Sequence, residues 1–137
     1  MQTKKFWAVL VLLAVATTPV FAAPADLVNV TTHVSQPSAS PGGANQGEVV
    51  IENKVNSNVR VRMACRVVFA DGSVQQLSGI ADPGTLAPGG GYVQSIYFII
   101  PPDAPPGPAS FIADISAASG GLQEQETSTA TFQVVIP

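Results

Sequence analysis

The chain has 137 residues, nine acidic and six basic, a formal net charge of −3 and one cysteine. That length suits a single domain. The acidic balance excludes the broad basic surface that phosphate-backbone binding requires, and a lone cysteine excludes an internal disulfide.

In chain order, Lys4 and Lys5 precede an apolar run, Phe6 to Ala16, and "TTPVFA" then places Val20 and Ala22 at the −3 and −1 positions of a cleavage site. This is the pattern of a signal peptide cut between Ala22 and Ala23. The run is shorter than the roughly 20 residues of a spanning helix, and Pro19 stops its extension. The expectation is a signal peptide over 1–22 and one domain over 23–137. The product would be periplasmic or extracellular, with no membrane insertion after cleavage. Cleavage removes both lysines and no acid, so the net charge moves from −3 to −5. The remaining cations, Lys54, Arg60, Arg62 and Arg66, fall within 13 positions.

"DLVNVTTHV", Asp26 to Val34, is β-branched and partly alternating, which predicts a first strand. "SQPSASPGGANQG", Ser35 to Gly47, reads as a loop. "EVVIENKV", Glu48 to Val55, alternates with Val49 and Ile51 on one parity and Glu48, Glu52 and Lys54 on the other. "NSN" then connects to "VRVRMACRVVF", Val59 to Phe69, closed by the Asp71-Gly72 turn signal. "SVQQLSGI" predicts a short edge strand and "ADPGTLAPGGG" a long loop. "YVQSIYFII", Tyr92 to Ile100, is a strong strand. "PPDAPPGP" cannot continue a ladder, because proline has no N–H to donate. "ASFIADIS", a turn at "AASGG" and "LQEQETSTATFQVVI", with room for a bulge, complete the chain. Seven short strands in about 100 residues predict an all-β, antiparallel immunoglobulin/fibronectin-III-like sandwich.

The arginine strand is the distinctive segment. Strand side chains alternate between faces, so Val59, Val61, Met63, Cys65, Val67 and Phe69 are expected in the core. Arg60, Arg62 and Arg66 then share the outer face. If "NSN" closes a hairpin, Glu48 and Glu52 lie across from the arginines as cross-strand partners, and the row locks the register, since a one-residue slip would bury three charges. The alternative is a binding face for an acidic partner, an anionic glycan or the acidic part of a second copy, for which the planar guanidinium suits a carboxylate.

Catalytic chemistry is not evident. Nucleophilic catalysis needs a base beside the nucleophile and a group that orients it, and His33 is the sole histidine. Asp71, Asp82 and Asp103 lie in loops without calcium-loop spacing, and no cluster has zinc-ligand spacing. "PGGG", Pro88 to Gly91, lacks the lysine and hydroxyl of a phosphate cradle. "NVT", Asn29 to Thr31, matches a glycosylation acceptor. Cys65, on the apolar parity, reads as a buried small hydrophobe. The expectation is a non-enzyme with no metal and no cofactor.

Three segments stand in the order found in one known family: "VVIENKVNSNVRVRMACRVVFADGSV", "LAPGGGYVQSIYFIIPPDAPPGPASFIADI" and "LQEQETSTATFQVVI". With Asn53, Asp71-Gly72, Leu86 to Gly89, Gly107, Glu124 and Glu126 at comparable places, the chain resembles bacterial immunoglobulin-like modules of the CARDB type, a family associated with cell adhesion. "EQETST" lacks that family's paired asparagines. The resemblance implies a non-catalytic extracytoplasmic module and brings no catalytic residues. Three functions follow. The first is interaction with an envelope or surface protein, acidic where it meets the arginines. The second is carbohydrate binding on Tyr92, Tyr97 or Phe98, of which neighbours on opposite parities cannot all be exposed. The third is a homo-oligomer assembled through edge strands, expected at "SVQQLSGI" and the first strand.

Overall fold

A computed structural model describes residues 25–137 and contains nine strands among them. The signal-peptide segment 1–22 lies outside the described residues. The strands are β1 (Val28–Val34), β2 (Ser38–Ala39), β3 (Ala44–Asn53), β4 (Val59–Val68), β5 (Val74–Gln76), β6 (Gly84–Leu86), β7 (Gly91–Ile99), β8 (Gly107–Ser119) and β9 (Leu122–Val134). No helix among the described residues is long and apolar enough to cross a membrane.

Two open sheets face each other. The smaller has the order β1-β3-β7; the larger runs β2-β9-β8-β4-β5, with β6 also pairing to β4. The all-β sandwich agrees with the sequence reading, but two details are corrected. The expected seven strands become nine, because β2 and β6 form inside segments read as loops. The sheets are not wholly antiparallel either, since β2 runs parallel to β9.

Alternation explains the packing. Val59, Val61, Met63, Cys65, Val67 and Phe69 are all buried, as expected, and meet Val49 and Ile51 of β3 and Ile96 and Phe98 of β7 from the other sheet. Phe98 and Phe111 stack with ring centroids 6.0 Å apart and planes 4° from parallel. A Cβ at Gly47 would run into the Phe111 ring. Gly47 is therefore the gap in β3 that lets this aromatic pair lie flat in the core.

The expected hairpin between β3 and β4 does not form. β3 is paired on both sides, with β1 and β7, and β4 pairs with β8. The matching apolar alternation that suggested pairing within a sheet is satisfied instead by facing across the core. Residues 54–58 carry the chain from one sheet to the other, and buried Asn53 holds that crossing. Its Nδ2 donates to the carbonyls of Ser57 at 2.8 Å, Leu86 at 3.0 Å and Ala87 at 3.0 Å, and its Oδ1 accepts from the Val55 N–H at 2.9 Å. One side chain thus ties the crossing to the turn that precedes β7.

The β8–β9 hairpin keeps one register over all 13 pairs, so β9 has no bulge. Its two-residue turn places Gly120 and Gly121 at φ of 54° and 87°, which suits glycine and matches the twist of the arms. Along β9 the inward residues change from buried Val134 and Phe132 to half-buried Ser128, Glu126 and Glu124. There the two sheets are joined by polar contacts. Ser128 Oγ lies 3.0 Å from Thr32 Oγ1, and Glu124 Oε1 accepts from the Leu27 and Val28 N–H groups at 2.7 and 3.2 Å.

Candidate functional site

The outer face of the larger sheet carries the arginine row. Arg60 lies opposite Ala118 on β8 and Thr85 on β6; Arg62 lies opposite Ser116; Arg66 lies opposite Ile112 and Gln76. Glu48 and Glu52 are not their partners, which corrects the sequence expectation. They lie on β3 in the other sheet, opposite His33 and Ser95, and Asn29 and Gly91, respectively. Their parity turns them to the far face of the sandwich, because the inward parity of β3 is taken by Val49 and Ile51.

The acid that does meet the row is Asp114 of β8. Its Oδ2 lies 3.0 Å from Arg66 Nε, and its Oδ1 accepts from Thr127 Oγ1 at 3.0 Å. The two charged side chains are 33% and 41% exposed, so the pair is partly solvated. Sequence reasoning missed Asp114 because the contact is diagonal across a strand pair separated by 48 positions. Arg60 and Arg62 are exposed and have no salt bridge among the described residues.

These two arginines border two adjoining shallow depressions. One, of about 480 Å³, is lined by Arg62, Ala64, Asp82, Asp114, Ser116 and Gln125, together with Met63 and Ile115. The other, of about 210 Å³, is lined by Arg60, Arg62, Ser116, Ala117 and Ala118. Arg62 and Ser116 belong to both. The larger depression lies where β4, between its pairings with β6 and β5, has no partner on that edge among the described residues. Asp82 Oδ1 closes part of that edge by accepting from the Met63 N–H at 3.2 Å. The face offers guanidinium donors above small side chains, with carboxylates at one end. It suits a surface carrying carboxylates at defined spacing.

The remaining singled-out residues lie elsewhere. Cys65 is buried and free, and burial, aided by the Asp114 charge, pushes its thiol up to about 11. That suits the small-hydrophobe reading and leaves no thiolate for chemistry at neutral pH. Asp71 caps its turn by accepting from the Ser73 Oγ at 2.6 Å and N–H at 2.9 Å, and these bonds hold its carboxyl below the ordinary range. Asp71 and Asp103 border a separate depression, away from Asp82. Of the three aromatics, Phe98 is buried and Tyr92 half-buried, whereas Tyr97 is 69% exposed. At the opened end of the sandwich, Lys54 Nζ meets Asp26 Oδ2 at 2.6 Å. Nearby, burial and the neighbouring carboxylate of Glu124 push Glu126 up to about 6.

No known protein-family model matches the chain, and no curated protein matches its sequence. Solved structures do match in shape. A Pseudomonas fluorescens alkylpurine DNA glycosylase, AlkC, bound to DNA containing an abasic site analogue, is 16% identical with a TM-score of 0.52. The match covers 88% of this chain but only 33% of the glycosylase. A structural-genomics target solved by X-ray is 14% identical with a TM-score of 0.52, over 84% of this chain and 91% of that one. The CARDB domain of a Pyrococcus furiosus protein, in complex with di-metal ions, is 14% identical with a TM-score of 0.49, over 82% and 93%. At such identities the two likenesses with a TM-score of 0.52 bear on the fold alone.

Proposed function

We propose that the chain is an exported, non-catalytic immunoglobulin-like interaction module of the bacterial envelope or cell surface, and that it holds an acidic protein partner on the Arg60–Arg62 face. The observation that carries this reading is the division within the row. Arg66 is committed to Asp114, whereas Arg60 and Arg62 are exposed and unpaired among the described residues; Arg62 borders both depressions and Arg60 the smaller one. Arginines kept only to fix register need no such surface. The signal-peptide pattern supports export, and the CARDB-like segments support an extracytoplasmic module. The carbohydrate reading is weaker, because only Tyr97 of its three aromatics is well exposed.

The test is capture from native envelope extract by the tagged protein, beside an Arg60→Glu/Arg62→Glu variant whose circular dichroism matches the parent. A partner held by the first, lost by the second and released by moderate salt is the expected result. Equal capture by both refutes the arginine face. N-terminal sequencing of the protein recovered from the host checks export and cleavage after Ala22.

A further inference from the structure

The smaller sheet ends in a strand edge that no other strand among the described residues pairs with. β7 pairs with β3 on one side only. The strand that could have flanked it, β6, pairs with β4 in the other sheet instead. The direction of its backbone groups follows from the register. The Ile100 N–H donates to the Gly43 carbonyl at 2.8 Å, and the Gly90 carbonyl accepts from the Asn53 N–H at 2.9 Å. Even-numbered residues therefore exchange hydrogen bonds with β3, and the odd ones, Gly91 to Ile99, aim N–H and C=O at the open edge. Among the described residues only the Ile99 carbonyl is taken, by Gln75 Nε2 at 2.9 Å.

The usual protections of an edge are missing. The strand "GYVQSIYFI" contains no charge and no proline, and its pairing with β3 has no bulge. Its outward side chains include Val93, Tyr97 and Ile99, at 60%, 69% and 48% exposure. Other edges differ. β5 and β2 are three and two residues long, and the start of β1 is capped by Glu124.

We infer that β7 is a homodimer edge: a second copy of this chain adds its own β7 antiparallel about a two-fold axis through Ser95, joining the two small sheets into one. The sequence fits this register. Pairing about Ser95 sets odd residues against odd, the only parity in which both edges present their free N–H and C=O groups to each other. Val93 then faces Tyr97 of the second copy, and Tyr97 faces Val93, an aromatic–β-branched match made twice. Gly91 faces Ile99, so the strand's bulkiest exposed aliphatic meets no side chain, and the Gly91 N–H takes the place of Gln75 Nε2 on the Ile99 carbonyl. A neutral strand brings no like charges together across the axis. The Glu48 residues, level with Ser95 on the two β3 strands, stand three strand spacings apart, about 14 Å, beyond the screening length of about 8 Å at physiological salt. A charged foreign strand would gain nothing from this edge, whereas an identical strand completes it. The arginine face lies on the other sheet and is not involved.

The experiment is sedimentation equilibrium of the purified protein from micromolar to millimolar concentration, with amide exchange measured at both ends of the range. The expected result is a mass that doubles. Exchange at Val93, Ser95 and Tyr97 should slow by at least about tenfold in the doubled form. Ser95→Lys, which sets two lysines against each other on an exposed position, should remain monomeric with the parent's unfolding midpoint; Val93→Lys is the second variant. Arg60→Glu/Arg62→Glu should dimerise like the parent. A monomer at every concentration overturns the inference. So does a dimer that survives Ser95→Lys or leaves those amides unprotected, or one lost with the arginines. Protection that appears only when envelope extract is added assigns the edge to a different chain and also overturns it.

Discussion

Asn53→Asp puts the crossing between the sheets under direct strain. The replacement is nearly isosteric. It keeps the oxygen that accepts from the Val55 N–H, but it sets a second oxygen where Nδ2 now donates to the carbonyls of Ser57, Leu86 and Ala87 at 2.8–3.0 Å. An amide has two N–H bonds to share among the three carbonyls, so two net hydrogen bonds of about 1 kcal/mol each are lost. Asn53 is only 6% exposed, and an uncompensated buried charge raises the total to about 3–5 kcal/mol at pH 7. That is a large part of the roughly 5–15 kcal/mol that holds a domain folded. The carboxyl escapes by taking a proton, which one of the carbonyls can then accept. Its folded pKa should rise above the unfolded value. The variant should therefore be closest to the parent below that unfolded value and lose ground as pH rises through the folded one. Asn53→Ala, which empties the site without charging it, should cost about 2–3 kcal/mol at any pH. Urea unfolding of the three proteins at pH 4 and pH 7 reads these differences. An Asn53→Asp deficit that ignores pH, or either variant within 0.5 kcal/mol of the parent, refutes the bracket.

Gly47→Ala should destabilise by about 1–2 kcal/mol despite alanine's better strand entropy, because the new Cβ displaces the Phe111 ring from its stack on Phe98. Adding Phe111→Leu should recover part of that loss in a double-mutant cycle by urea unfolding, and strict additivity contradicts the contact. Glu126, pushed up to about 6 from 4.5 by burial and Glu124, favours folding while protonated, at and below pH 4.5, and loses that contribution as pH rises through 6. Glu126→Gln should therefore stabilise by about 1 kcal/mol at pH 7 and do nothing at pH 4, read from thermal midpoints. Asp114→Ala should cost less than about 1 kcal/mol, since its pair with Arg66 is partly solvated. It should strengthen capture of an acidic partner by freeing a third guanidinium, and weaker capture would count against the arginine face.

Much of the fold was legible from local chemistry. The alternation of β4 named six core residues correctly, and Asp71-Gly72 marked its turn. The proline-rich stretch before β8 ended a ladder where the sequence required it. Pairing was not legible, because period-two alternation states which face of a strand is apolar and not which neighbour it lies beside. Val49 and Ile51 match Val59 and Val61 equally well side by side or across a core, and the carboxylates of β3 made the wrong choice attractive. The signal that separates the two is Asn53. A short amide at the end of an apolar strand, followed by a compact connection, can satisfy carbonyls on both sides of a crossing; a tight hairpin needs no such bracket.

The placement of Glu48 and Glu52 on the other sheet changes what the arginines can be for. Had Glu48 and Glu52 faced them, the row would have been neutralised by its nearest neighbours, with register its sufficient explanation. With those acids on the far sheet, the one ion pair of the row among the described residues is Arg66–Asp114, and it fixes Arg66 alone. Register is already set without charge, by the five buried side chains on the opposite parity of β4 and by Phe69 just after it. Arg60 and Arg62 therefore add a solvated cationic surface on an otherwise acidic protein while contributing little to its fold. Exposed cations of this kind cost little stability and act over the range of the screened field. They suit an encounter with an acidic surface. The β7 edge, neutral and apolar on the opposite sheet, suits an encounter with itself. The two faces leave each other free, so one sandwich can dimerise through one sheet and present the arginines of both copies on the other.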